Sequence, residues 1–222
     1  DKYKKDIAAI IVEPVAGNMG VVLPKKGFLH GLREIADKYR IILIFDEVIT
    51  GFRLTYGSAQ EYFKVKADLT CLGKIIGGGL PIGAFGGKKE IMRLLAPEGE
   101  VYQAGTFSGN PLTTSAGLTT LKILSRENPY KGLAKKTKYL CENIKEKAKD
   151  FGIKAEVNFI GSMFSILLDM ALFKKFYHGL LKEGIYLSPS GLEANFLSIA
   201  HTEQDMEKTL EAAQKVFKDI GR

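Results

Sequence analysis

The stretch Arg40-Ile41-Ile42-Leu43-Ile44-Phe45-Asp46-Glu47 decides how this chain folds. Its apolar run, residues 41–45, has no polar face, which predicts a strand buried on both sides within a parallel sheet. Two acids follow the run at once, and ligands of open α/β sheets bind beyond the carboxyl ends of the strands. We therefore expect Asp46 to bring a carboxylate to the mouth of a site.

A glycine-rich stretch further along, Leu72-Gly73-Lys74-Ile75-Ile76-Gly77-Gly78-Gly79, holds a lysine among apolar and backbone groups. Desolvation frees an amine's lone pair to attack a carbonyl, and glycines let the backbone approach a flat cofactor. The alternative is a solvated lysine in a flexible loop. Together with Asp46, Lys74 favours pyridoxal phosphate (PLP) chemistry, in which a lysine forms a Schiff base and an acid pairs with the pyridinium nitrogen.

The residues before Asp46 predict the rest of a parallel crossover. Residues 6–13 predict a second buried strand, and the helical period over 27–39 predicts an amphipathic helix that connects the two strands. Between them, residues 16–20 form a loop at the carboxyl edge of the sheet. Asn18 in this loop either hydrogen-bonds a ligand or serves as a turn residue, and spacing alone does not separate the two roles.

Two further segments offer groups for anions. Arg53 could hold a phosphate, a carboxylate or a neighbouring acid, and the neighbouring acid is the default. In Gly105–Pro111, small hydroxyl residues precede a helix with Asn110 at its N-cap and Pro111 in its first turn. Helix starts attract anions, so Thr106 and Ser108 are candidate phosphate contacts. Capping alone would explain Ser108 equally well.

The pattern changes near Asn128, which we take as a domain boundary. Residues 1–127 predict part of a large α/β domain, and residues 128–222 predict a small α+β domain with its own antiparallel sheet. Short strands are expected at 101–104 in the first part, and at 185–188 and 196–199 in the second. The run from Thr202 to Asp205 predicts a capping box that starts the last helix.

Composition limits the class of protein. The chain has 222 residues and a net charge of +7, but its lysines are scattered among acids and form no basic stripe with aromatics, so we expect no nucleic-acid partner. No apolar run reaches membrane-span length. Two cysteines predict neither a disulfide framework nor a metal site, and they suit a cytoplasmic protein. The start at Asp1 predicts a piece of a larger protein.

Four motifs carry a resemblance to a known family: Glu13–Gly20 (EPVAGNMG), Phe45–Arg53 (FDEVITGFR), Leu72–Pro81 (LGKIIGGGLP) and Tyr102–Pro111 (YQAGTFSGNP). With Tyr186–Ser190 and Glu193–Thr202, they resemble the class III PLP-dependent aminotransferases, and within these the glutamate-1-semialdehyde 2,1-aminomutase family. The resemblance spans nearly the whole chain. It implies PLP fold type I and an intramolecular amino transfer that yields 5-aminolevulinate for tetrapyrrole biosynthesis.

The resemblance also implies roles for single residues. Lys74 would bind PLP covalently and shuttle protons, with the pyridoxamine form of the cofactor also taking part. Asp46 would pair with the pyridine nitrogen, and Asn18 would contact the side of the ring that carries the phenolic oxygen. Thr106 would reach the cofactor phosphate of a partner subunit, so that a homodimer is needed for activity. Tyr102 and Glu193 would lie near the substrate or in the gating region, and His201 would have a structural role.

Two departures from the family pattern shape these expectations. The family's N-terminal half is absent, including a phosphate-binding loop and the arginine that anchors the substrate, so this chain should be inactive alone. The stretch around Asp169–Leu172 is shorter than in relatives. The alternatives are a class III ω-aminotransferase that uses a separate amino acceptor, and an inactive fragment.

Overall fold

The computed structural model of the chain describes residues 2–221. The chain divides into two compact units. The first unit contains the residues up to Pro14 together with Pro24–Asn128, and the second contains Val15–Leu23 together with the residues from Pro129 onward. The sequence did not predict that Val15–Leu23 would group with the second unit. Among the described residues, no helix combines the length and apolar character that a membrane span needs.

The first unit is built on a four-stranded sheet. Its strands are β1 (Ala9–Val12), β2 (Ile42–Asp46), β3 (Leu69–Gly73) and β4 (Gly83–Gly87), and they lie side by side in that order. The helices are α1 (Phe28–Tyr39), α2 (Ser58–Phe63), α3 (Lys89–Met92) and α4 (Pro111–Glu127). Strands β1, β2 and β3 run parallel and β4 runs antiparallel to β3, so the predicted parallel crossover through α1 is confirmed.

The core of the first unit lies between α1 and one face of the sheet. Leu29 and Ala36 of α1 join Leu43 and Phe45 of β2 in a buried cluster. The opposite face is not covered to the same degree, since Ile42 and Ile44 are half-buried and Ile11 of β1 is 63% exposed. The prediction of strands buried on both sides is therefore wrong for this chain, because its helices cover only one face fully.

The second unit is an α+β arrangement with a small antiparallel sheet, as predicted. Its strands are β5 (Glu156–Ile160), β6 (Met163–Leu167) and β7 (Asn195–Phe196), and its helices are α5 (Tyr130–Asp150), α6 (Met170–Lys182) and α7 (Glu203–Ile220). The core forms where these helices meet the sheet. Phe176 of α6 stacks on Phe217 of α7 with 4.7 Å between ring centroids, and both side chains are fully buried.

Two of the predicted short strands do not form. Residues 101–104 are a loop in which only Val101 makes an isolated bridge, to Leu95. Residues 185–188 are also irregular, because the backbone N–H of Ser188 donates to the Asn195 side chain at 2.8 Å instead of to a neighbouring strand. Of the third expected strand, at 196–199, only Phe196 lies in a strand, the two-residue β7.

Candidate functional site

The sheet brings Asp46 and Lys74 to the same edge of the first unit. Asp46 ends β2 and lies opposite Cys71 of the adjacent parallel strand β3. Lys74 follows the end of β3 directly and begins a short 3-10 turn, Lys74–Gly77, which we call the Lys74 turn. A methyl group added at Gly73 would touch Val48 Cγ1 at 3.4 Å, so the segment after Asp46 packs against the start of the turn.

The Asp46 carboxylate is oriented by the backbone. The Val48 N–H donates to Asp46 Oδ1 at 3.0 Å, and the other carboxylate oxygen makes no hydrogen bond within residues 2–221. Burial and the Asp46 charge together raise the pKa of the Cys71 thiol, which keeps that neighbour uncharged at neutral pH. Asp46 therefore offers a negative charge and a vacant acceptor at the end of the sheet.

A buried network, not predicted from the sequence, holds the backbone beside Asp46. Glu47 is fully buried and accepts hydrogen bonds from the Ala59 N–H (2.6 Å), the Thr50 hydroxyl (3.1 Å) and the Gln60 amide (3.1 Å). Gln60 also donates to the Thr70 hydroxyl of β3 at 2.9 Å. A buried carboxylate with three donors fixes the chain around it. The available signal was the second acid directly after a buried strand.

Lys74 has an accessible amine. Its side chain is exposed, and the amine makes no hydrogen bond or ion pair with any residue that the structure describes. The prediction of a desolvated lysine is therefore wrong for this chain. The reason is that Ile76 and Gly77 form the buried side of the turn while Lys74 lies on its open side.

The segment that carries Tyr102, Thr106 and Ser108 lies on the surface before α4. Thr106–Gly109 form a turn, closed by hydrogen bonds from Ser108 N to Gly105 O (2.9 Å) and from Asn110 N to Phe107 O (3.1 Å). The Asn110 side chain accepts from the N–H groups of Leu112 and Thr113, which confirms the predicted N-cap. Tyr102 and Phe107 are 84% and 81% exposed, and Thr106 and Ser108 are also exposed.

Asn18 and Glu193 come together in the second unit. Asn18 Oδ1 accepts from the Ala194 N–H at 3.4 Å, and Gly20 N donates to Leu192 O at 2.7 Å. The Glu193 carboxylate accepts from the Ser188 hydroxyl at 2.6 Å. Both side chains are exposed, so each stays accessible to a ligand.

His201 has a structural environment. Its Nδ1 accepts a hydrogen bond from the Ser198 N–H at 2.9 Å, and its carbonyl oxygen accepts from Lys136 Nζ at 2.9 Å. The next residue, Thr202, starts α7 with the predicted capping box. These contacts agree with a role in ending the 195–201 segment and starting the helix.

Comparison with known proteins identifies relatives over nearly the whole chain. The model of the family "Aminotransferase class-III" matches residues 1–217. The chain is 54% identical to glutamate-1-semialdehyde 2,1-aminomutase from Thermodesulfovibrio yellowstonii, over 99% of this chain and 55% of that protein. It is 52% identical to the enzyme of the same name from Bacillus subtilis, over 100% of this chain and 54% of that protein. The chain thus spans about half the length of these relatives.

Solved structures support the fold. An omega-transaminase from Sphaerobacter thermophilus superposes with a TM-score of 0.91 at 32% identity, over 98% of this chain and 53% of that one. A transaminase with PLP bound superposes with the same TM-score at 26% identity, over 99% of this chain and 54% of that one. These matches confirm the prediction of PLP fold type I. With the family match over nearly its full length, the chain belongs to the class III aminotransferases.

Proposed function

We propose that the protein of which this chain is a part is a PLP-dependent aminomutase that converts glutamate-1-semialdehyde to 5-aminolevulinate, a step of tetrapyrrole biosynthesis. The observation that carries the proposal is the degree of identity. The chain shares 54% and 52% of aligned residues with two aminomutases, but 32% and 26% with the two transaminases compared above.

The residues at the sheet edge suit PLP. The vacant acceptor of Asp46 would pair with the pyridine nitrogen, and the accessible Lys74 amine would hold the aldehyde carbon. Bound PLP supplies an aldehyde that condenses reversibly with amines and a ring that withdraws electrons. Asp46 would keep the ring nitrogen protonated, since a nearby negative charge favours the protonated form. Lys74 would also take and return protons at the carbon atoms of the substrate.

Thr106 and Asn18 are proposed as further cofactor contacts. Thr106 would bind the phosphate of the cofactor in a partner subunit through its exposed hydroxyl, close to the start of α4. Three large apolar or aromatic side chains near Thr106 in the sequence are mostly exposed: Tyr102, Phe107 and Leu112. This exposure supports a homodimer, in which a partner subunit would cover them. Asn18 would contact the phenolic side of the ring. Tyr102 and Glu193 are proposed as substrate or gating residues, and the pyridoxamine form as the second state of the cofactor.

We also propose a cytoplasmic location. Cys71 and Cys141 are both free, the state that a reducing compartment maintains. Burial, the larger effect, and the neighbouring Glu142 carboxylate raise the pKa of the Cys141 thiol to about 12, so this thiol stays protonated and unreactive at physiological pH.

The decisive experiment gives the full-length protein glutamate-1-semialdehyde as its only substrate and measures 5-aminolevulinate. An aminomutase forms the product without a second amino acid or oxo acid. The Lys74→Ala variant should lose both turnover and the absorbance band of covalently held cofactor, while Lys26→Ala, at another exposed lysine, should keep both. Undiminished turnover in Lys74→Ala would refute the assignment.

The second candidate function is an ω-aminotransferase, favoured by the solved structure from Sphaerobacter thermophilus. That enzyme class needs a separate amino acceptor in every cycle. Product formation that requires an added oxo acid would select this alternative. Absence of any cofactor band in the full-length protein would instead select the inactive alternative.

A further inference from the structure

Lys74 has a backbone conformation that residues with side chains rarely adopt. Its φ is +48°, in the left-handed region, although it is not a glycine. Such a conformation costs free energy and persists only where the surrounding structure imposes it. The contacts of the Lys74 turn therefore show which residues impose it.

Helix α4 supplies the closest of these contacts. A methyl group added at Gly117 would lie 2.2 Å from the carbonyl oxygen of Ile76 and 3.3 Å from its carbonyl carbon. The backbone of the turn thus rests directly on the helix at a point where only glycine fits. Immediately after the turn, a methyl group on Gly78 would lie 2.6 Å from Thr120 Oγ1 and 2.7 Å from the Ala116 carbonyl oxygen. We call Ala116, Gly117 and Thr120 the α4 bed.

Two further segments also contact the turn. A methyl group on Gly77 would lie 2.9 Å from Ile82 Cγ2, and Gly73 packs near Val48 Cγ1. The turn is therefore in contact with α4, with the segment before β4 and with the segment after Asp46. A shift of the turn away from α4 would be transmitted to Lys74, which is two residues from the contact at Ile76.

We propose that Gly117 is a positioning residue for Lys74. By letting the Ile76 carbonyl rest on the helix, Gly117 holds the Lys74 turn in place and with it the left-handed backbone of Lys74. This inference rests on the proposed function, in which the Lys74 amine holds the cofactor. Glycine is a poor residue for a helix interior, and alanine would favour α4 on propensity alone. Close packing against the turn is the reason that the position needs glycine.

The test uses full-length protein with PLP bound and the Gly117→Ala variant. The added methyl group must move the Ile76 carbonyl by roughly 1 Å to reach ordinary contact distance. A displacement of that size at a reacting group lowers kcat by roughly tenfold to a hundredfold, with KM less affected. We also expect a shift in the pH midpoint at which the absorbance band of bound PLP changes, a readout that general loss of stability does not move.

Gly31→Ala is the matched control. Gly31 lies within α1 of the same unit, and a methyl group added there meets no atom within 4 Å. Both variants place alanine within a helix, and of the two only Gly117→Ala brings the added methyl group against the turn. Gly31→Ala should keep the wild-type kcat and the wild-type pH midpoint.

The outcomes separate this inference from the proposed function. Wild-type kcat and pH midpoint in Gly117→Ala would overturn the inference, whatever happens to the melting temperature, while the Lys74→Ala result would still decide the function. If Gly117→Ala does not fold, Thr120→Ala decides, since it removes atoms from the α4 bed and adds none. It should shift the same midpoint and lower kcat roughly threefold, the lower end of single-contact effects. No change in either quantity would overturn the inference.

Discussion

At the scale of single residues, Asp46 and Asp68 show how one residue type serves two purposes in the same sheet. Asp46 has one oxygen held by the Val48 N–H and the other left vacant at the strand end. Asp68 is buried and both of its oxygens are engaged, by the Leu43 N–H (2.7 Å), Arg33 (2.9 Å) and Lys88 (2.6 Å). The free oxygen leaves Asp46 able to bind a ligand at the strand end, whereas the hydrogen bonds of Asp68 tie β2, α1 and Lys88 together.

Asp46→Asn should keep the cofactor but lose most of the rate. The amide has nearly the same shape, so PLP should still bind, but it lacks the charge that we propose keeps the ring nitrogen protonated. We expect kcat to fall by roughly a hundredfold, as for the loss of other preorganised electrostatic groups. Cofactor absorbance and 5-aminolevulinate formation measure the two effects. Normal kinetics would contradict the role of Asp46, and Asp37→Asn, on the exposed side of α1, is the control.

Asp68 should make the stability of the protein dependent on pH. Burial, the largest single effect, raises the pKa of Asp68, but the hydrogen bonds from Lys88, Leu43 and Arg33 together outweigh it, so the pKa lies below the ordinary 3.8. Because the pKa of Asp68 is lower in the folded state, its ionisation stabilises the fold at pH values above the unfolded-state pKa. That stabilisation is lost as the pH falls below about 4 towards the folded-state pKa.

The matching variant is Asp68→Asn, which should lower the free energy of unfolding by about 2 kcal/mol at pH 7, because the buried side chain then loses its charge-assisted hydrogen bonds to Lys88 and Arg33. The difference from wild type should stay constant from pH 7 to about pH 5 and shrink below about pH 4. Urea unfolding at several pH values measures it. Asp37→Asn, which breaks a pair of the same Arg33 with an exposed carboxylate, should have little effect. A difference that does not change with pH would contradict the explanation.

At the scale of elements, local signals predicted helix starts well and strand environments poorly. Asn110 and Thr202 cap α4 and α7 as expected, since a cap is made by residues next to each other in the chain. The burial of β1 was not predictable from its own residues. Ile11 looks like a core residue, but its exposure depends on which elements cover the sheet face. The same holds for residues 185–188, where the Ser188 N–H donates to the Asn195 side chain and not to a neighbouring strand.

The cap of α4 carries a prediction of its own. Asn110→Ala removes the acceptor for the N–H groups of Leu112 and Thr113, and should destabilise the fold by about 1 kcal/mol. Asn110→Ser keeps an acceptor and should recover most of that loss. Denaturant unfolding of both variants gives the comparison. Equal stability of the alanine and serine variants would mean that Pro111 at the first helical position sets the helix start without the cap.

At the scale of the whole molecule, the positions of some parts of the candidate site could be predicted from the sequence and those of others could not. Asp46 and Lys74 were predictable as a pair because Asp46 ends one strand and Lys74 directly follows the next, and adjacent parallel strands end at the same edge. The grouping of Val15–Leu23 with the second unit was not predictable. It depends on the Ser165 hydroxyl, which donates to Gly20 O at 2.6 Å across 145 residues of sequence, and on Asn158, which donates to the same oxygen. No local pattern encodes such a contact.

The open sides of the large sheet lead to the last prediction. Within residues 2–221, β1 pairs only with β2 and β4 only with β3, so each offers an unpaired edge, and Ile11 and Phe85 on these strands are exposed. Exposed apolar edge strands pair with other chains, and a lysine on the edge opposes such pairing. Produced by itself, the 222-residue chain should self-associate in a concentration-dependent way, and Ile11→Lys should reduce the association.

Light scattering and sedimentation over a range of concentrations measure the effect. The matched control is Ile35→Lys, at an isoleucine of α1 that is also exposed but lies on a helix, so it adds the same charge without touching a strand edge. If both variants reduce association equally, general charge repulsion is the cause and the sheet edge is not. A chain that stays monomeric at all concentrations would show that β1 is protected without a partner strand.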